Sequence, residues 1–177
     1  MRLLGRLKLW QKLAVLVAGL LIPTILAGAF YFRTVSVDIG LARHELDGAR
    51  YLQPLGAVLA EVFTHRGSAH ASLNGDTSQK EVIAASESRM DSLLSAVDRV
   101  DGELNAQFGT SAQWQAIKSA WSDLKTKNAK LTPAESSAQH DALTDRIVEL
   151  NLSVWMKSGL ALDPASTANY LIRTATD

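Results

Sequence analysis

Leu52, Leu59 and Leu73 stand at seven-residue intervals, and the position that would complete the series is Arg66. A seven-residue step returns to one helical face, so the series predicts a guanidinium turned toward a core. Farther along, Leu143, Ile147, Leu150 and Val154 form a second stripe, and a step of three back from Leu143 reaches His140. Arg66 precedes the expected end of its helix by about two turns, and His140 follows the expected start of its own by about two. In an up-and-down arrangement the two groups share one level. A guanidinium fork donates two parallel hydrogen bonds to a carboxylate, so the chemistry this pairing suggests is capture of a small acidic or anionic ligand. Ser68 and His70 follow on the same segment, and the small run Gly67-Ser68-Ala69 leaves room. The candidate ligand-binding set is therefore Arg66, His140, Ser68 and His70. A buried arginine needs a partner, and the competing expectation is an internal ion pair with Glu87, Asp91 or Asp141.

Catalysis finds little support in the same residues. His65, Ser68 and Asp76 can be drawn as a triad, but their spacing orients none of them. His65 and His70 are five apart, off the i, i+4 spacing of a helical metal pair. No phosphate loop, dinucleotide fingerprint, zinc-protease or kinase signature occurs. A haem between His70 and His140 is the one cofactor a helical bundle could hold here, and no cofactor or metal is expected. The chain contains no Cys, which removes thiol chemistry and disulfides. With 18 basic and 18 acidic residues in 177, it lacks the basic excess of a nucleic-acid binder.

The balanced total conceals a polar division of the chain. Residues 1–12 hold Arg2, Arg6, Lys8 and Lys12 and no acid, and residues 13–32 hold no charge. Twenty uncharged helical residues span about 30 Å, the thickness of a bilayer's hydrocarbon core. Sixteen of the twenty are apolar, the exceptions being Gly19, Pro23, Thr24 and Gly28, and Trp10, Tyr31 and Phe32 sit at the two edges. The run exceeds the usual apolar length of a cleaved signal peptide, although Ala27-Gly28-Ala29 would suit its peptidase. An uncleaved anchor with a cytoplasmic N-terminus is expected, because the flanking cations stay inside. All 18 acids follow the anchor, so residues 33–177 are mildly acidic and are expected to be periplasmic.

These residues read as amphipathic helices. Residues 34–73 carry Leu52, Leu55, Leu59, Val62, Phe63, Ala69 and Leu73 at steps of mostly three and four, with a bend expected at Pro54. Ser78-Gln79-Lys80-Glu81 has the form of a capping box, and Val82, Ser86, Met90, Leu93, Val97, Val100 and Leu104 follow before Gly109. Thr110 or Ser111 opens a third helix with the stripe Trp114, Ile117, Trp121, Leu124, Asn128 and Leu131. Thr132-Pro133-Ala134-Glu135 caps the fourth, and Asp163-Pro164 begins another. Short turns between such helices imply antiparallel neighbours. The expectation is all-α: a basic tail at 1–12, a transmembrane helix at 13–32, an antiparallel four-helix bundle at 33–160, and the start of a fifth helix at 161–177.

Three stretches carry a family resemblance: ARHELDGARYLQPLGAVLAEVFTHRGSAHASLNGD (Ala42–Asp76), SAQWQAIKSAWSDL (Ser111–Leu124) and HDALTDRIVELNLSVWMKSGLALDPASTANYLI (His140–Ile172). Together with the anchor they resemble the sensor region of one group of bacterial methyl-accepting chemotaxis proteins. The His65-Arg66-Gly67 step is also similar to the Arg-Gly step of nitrate- and nitrite-sensing helical domains. Where the chemoreceptor group has a tyrosine-rich segment, this chain has Ala168-Asn169-Tyr170-Leu171-Ile172. The resemblance implies a ligand-sensing homodimer in the bacterial inner membrane, without catalytic activity. It also implies further chain: more periplasmic helices, a second membrane helix, a HAMP linker and a cytoplasmic coiled coil. Similar sensor regions precede diguanylate cyclase and histidine kinase modules. A membrane-tethered adaptor with no small ligand is the expectation of a different class.

Overall fold

A computed structural model describes residues 8–162. The described residues are helical throughout, with no strand. Helix α1 runs from Leu9 to Leu73, α2 from Gln79 to Phe108, α3 from Ser111 to Lys127 and α4 from Pro133 to Lys157. Single 3₁₀ turns at Asn128–Lys130 and Leu160–Leu162 follow α3 and α4. The helix expected from Asp163-Pro164 and the cations Arg2 and Arg6 lie outside the described residues.

The chain divides into two compact units, 1–43 and 44–177. In the first, the large apolar side chains between Leu13 and Phe32 are exposed among the described residues. The helix is long and apolar enough to cross a membrane. Its few polar side chains are satisfied locally: the Thr24 hydroxyl donates to the Leu20 carbonyl at 2.7 Å, and Ser36 to the Phe32 carbonyl at 2.8 Å. Such back-bonding removes the cost of an unpaired hydroxyl in an apolar medium. The transmembrane helix expected at 13–32 and the first helix expected over 34–73 are one continuous helix. Pro54 does not end it.

In the second unit all four helices contribute to one apolar core. From α1 come Tyr51, Leu55, Val58 and Val62; from α2, Met90, Val97, Leu104 and Phe108. Of the stripe expected for α3, Trp114, Ile117, Trp121, Leu124 and Asn128 are buried and Leu131 is partly buried, and the stripe of α4 (Leu143, Ile147, Leu150, Val154) is buried in full. Two expectations for core residues need correction: Phe63 is 50% exposed and Val82 is 42% exposed.

The turns follow their chemistry with two exceptions, Ser78 before α2 and Thr110 before α3, whose hydroxyl bonds Asp101 and makes no cap. Gly109 closes α2 with a left-handed φ of 62°, a conformation an L-residue adopts at a cost. Thr132 and Glu135 form the reciprocal capping box at the start of α4. Ser78 does not cap α2: its hydroxyl and its backbone N–H both bond Asp76 Oδ1, at 2.6 and 3.0 Å. The nearer carboxylate outcompetes the helix for the serine. At the other end of the unit, Gly48 of α1 lies against Ser158, with no room for a Cβ.

Candidate functional site

On α1 the most deeply buried side chains are Tyr51, Leu55, Val58, Val62, His65 and Ala69, spaced four, three, four, three and four, with Glu61 and Ser68 buried beside them. That stepping puts His65 on the core face. Arg66 is displaced one position from it, with 35% of its side chain exposed. The expectation that Arg66 faces the core is thus corrected: Leu52 and Leu59, which set the seven-residue series, sit half-buried at the edge of the face. Arg66 forms the ion pair with Asp141 that the competing reading named, Nη1 to Oδ1 at 2.6 Å.

His140 is fully buried on the core face of α4, and the side chain that meets it is His65. The two rings are linked through His65 Nδ1 and His140 Nε2 at 2.9 Å, with centroids 5.2 Å apart. A second contact fixes the protons. His140 Nδ1 is 2.7 Å from the Ser136 carbonyl, which can only accept. His140 Nδ1 therefore carries the hydrogen, its Nε2 accepts, and His65 donates through Nδ1. Ser136 turns its hydroxyl to Asn128 Oδ1 at 2.7 Å, so the chain of bonds runs α1–α4–α3. Trp121 meets the His65 ring edge-on at 4.9 Å.

Two polar atoms in this cluster lack partners: His65 Nε2 and Trp121 Nε1. In the neutral tautomer His65 Nε2 is a bare acceptor, and the carboxylate of Glu87 stands 3.7 Å from it. Burial, with the neighbouring His140 adding to it, pushes His65 down to about 4. His140 is lowered by burial as well, against the Ser136 carbonyl, which favours its charged form. Both rings are therefore neutral near pH 7. One turn back along α1, Glu61 accepts from Arg89 at 2.9 and 3.1 Å and from Ser86 at 2.5 Å. The Arg89 guanidinium holds it below the usual carboxylate range, with Ser86 assisting.

The other members of the candidate set are dispersed. Ser68 is buried, while His70 is exposed. A ligand bridge from His70 to His140 has no free nitrogen to use, since both His140 nitrogens are engaged by Ser136 and His65. Gly67 is exposed, and a Cβ added there would meet nothing within 4 Å, so it does not serve close helix packing. The structure thus joins His65 to His140 and Arg66 to Asp141, two neighbouring links between the same helices. The partner of His140 is thus one position before the arginine that the seven-residue series indicates. The alternating four–three spacing from Tyr51 to Ala69 was the signal that identifies His65.

A second polar centre lies near the Gly48 end. Asp101 is buried and accepts from Tyr51 at 2.9 Å, Thr110 at 2.5 Å and Ser111 at 3.0 Å. Burial is the main cause that raises the Tyr51 phenol, so it stays a donor. Every oxygen of Asp101 is used, and the centre ties α1 and the α2–α3 turn together. Compared with models of protein families, with curated proteins and with solved structures, the chain matches none.

Proposed function

We propose that the chain is the ligand-sensing, membrane-anchored part of a bacterial receptor of the chemotaxis type. In this reading the N-terminus is cytoplasmic, residues 13–32 cross the inner membrane, and residues 33–177 are periplasmic. The four helices pack as an antiparallel bundle, two copies associate as a homodimer, and a small ligand of acidic character is the signal. The chain itself performs no catalysis.

The observation that carries the reading is the His65–His140 junction: an incompletely satisfied polar link between α1 and α4 inside an apolar core. A buried polar atom without a partner costs stability, and a ligand or proton that supplies the partner recovers it. Because α1 is the same helix that carries the apolar span, a change at residue 65 acts on the element a receptor would use. The test is a thermal-shift screen of the full chain in detergent against organic acids, amino acids and nitrate. A ligand that binds only the folded state raises the melting temperature by mass action. Silence across the whole screen overturns the sensing reading. Alkaline phosphatase fused after Asp177 should be active in the periplasm, and an inactive cytoplasmic fusion overturns the orientation.

One observation favours the adaptor reading. Val148, Leu152 and Met156 form an exposed apolar line at steps of four along α4, a surface suited to a protein neighbour. A chain that pulls down one stoichiometric partner yet ignores every small molecule would match that alternative.

A further inference from the structure

The end of α1 and helices α2 and α3 line a cleft of about 220 Å³. That is room for about seven water molecules, less than a drug-sized ligand requires. Lys80, Glu87, Lys125 and Asn128 line it, with Leu73 and Ile83 as its apolar wall. The donors and acceptors are sorted. Lys80 has no ion-pair partner among the described residues, and Lys125 is shared with Asp91 at 3.1 Å. Asn128 spends its Oδ1 on Ser136, which leaves its amide nitrogen as a donor. Glu87 supplies an acceptor at the wall where the cleft meets the core. Behind it, 3.7 Å from its Oε1, is the fully buried and unpartnered Nε2 of His65.

A plain carboxylate would satisfy the lysines and leave the Glu87 carboxylate facing it with lone pairs. A plain amine would meet Glu87 and be repelled by two ammonium groups. We propose that this cleft binds a small carboxylate that carries its own hydrogen-bond donor on the adjacent carbon, a hydroxyl or an ammonium. The carboxylate lies between Lys80, Lys125 and the Asn128 amide, and the donor points at Glu87, whose carboxylate stands 3.7 Å from His65 Nε2. The inference rests on the sensing reading above and gives that site its ligand class.

Three molecules of nearly equal size test it: propionate, lactate and alanine. They share a carboxylate and differ in bearing no donor, a hydroxyl or an ammonium. Each is titrated into the full chain in detergent micelles, with calorimetry for affinity and ¹⁵N resonances of the histidine rings for location. Lactate or alanine should bind at least about tenfold more tightly than propionate, the gain from one hydrogen bond to a charged acceptor. The tighter of the two should shift the His65 Nε2 resonance, and which one wins separates a hydroxy acid from an amino acid. Glu87→Gln should erase the preference over propionate, and Lys80→Gln should weaken all three about equally. Both side chains line the surface cleft, and circular dichroism verifies that helix content is retained. Equal binding of all three, or binding that leaves the His65 resonance unmoved, overturns the proposal. If none of the three binds while the wider screen returns another ligand, this ligand class is wrong and the sensing reading stands. If the wider screen is silent too, both fail.

Discussion

Asp101 and His65 are both buried polar residues at the margin of the same apolar core, and their surroundings differ in kind. Asp101 receives three side-chain donors, from Tyr51, Thr110 and Ser111, and neither of its oxygens is left over. His65 gives one proton to His140 and keeps a second nitrogen that no group among the described residues satisfies. A fully satisfied buried network fixes a structure, whereas a partly satisfied one leaves free energy to be gained from something else. The Asp101 end reads as a clamp and the His65 end as the place where a proton or a ligand can act.

The sharpest way to break this contrast is to open the clamp. Asp101→Ala strands three hydroxyl donors at once, those of Tyr51 and Thr110 buried and that of Ser111 half-buried. Removing one partner of a buried charged network costs about 3–5 kcal/mol, which urea unfolding of the full chain would read directly. A loss below about 1 kcal/mol would mean that the network contributes no more than an exposed pair.

Acid should act on the other end. His65 is depressed from 6.5 to about 4, so the unfolded chain binds a proton there that the folded chain refuses. The contribution is fully present above pH 6.5 and is lost as the pH falls toward 4, a total of roughly 3 kcal/mol. Glu61, whose pKa is also lowered, adds its own loss only as the pH falls below its ordinary value of 4.5. The interval from pH 6.5 to 4.5 therefore isolates the histidines. Melting temperatures across it should fall steadily in the native protein and more shallowly in His65→Gln. A flat profile would show that neither ring is held neutral.

The two ends also differ in fit. Gly48 has no room for a methyl group against Ser158, so Gly48→Ala should cost about 1–3 kcal/mol by overpacking. Gly67 opens on empty space, and Gly67→Ala should stabilise the helix by up to about 1 kcal/mol. Thermal melts of the two variants should move in opposite directions. Smallest of all is Arg66→Leu. Its pair with Asp141 is partly exposed on both sides, and such pairs contribute about 0–1 kcal/mol. A loss of several kcal/mol would restore the buried arginine that the seven-residue leucine series suggested.

The comparison also explains what could be read from the sequence. The stripes of α3 and α4 were legible because large apolar residues occupy nearly every inward position, and Gly109 and the Thr132–Glu135 box marked their ends. The inward line of α1 was not, because Tyr51, His65 and Ala69 carry part of it while Leu52, Leu59 and Phe63 lie off it. Weighting by hydrophobicity alone selected the flank. His140 was legible because its neighbours on the stripe were unambiguous. Its partner could be found only from the four–three spacing, and the choice of Asp76 over the helix by Ser78 depended on a carboxylate two residues away. The continuity of α1 from Leu9 to Leu73 was hidden by the change from apolar to charged residues at Arg33, a change of surroundings and not of backbone.

The most direct test of the central claim is the ¹⁵N spectrum of the histidine rings in the full chain at pH 7. His140 should carry its proton on Nδ1 and His65 its own on Nδ1, leaving His65 Nε2 bare, with the His65 ring still neutral at pH 5.5. A His65 ring protonated on Nε2 at pH 7, or one that titrates with the ordinary value of an exposed histidine, would contradict it.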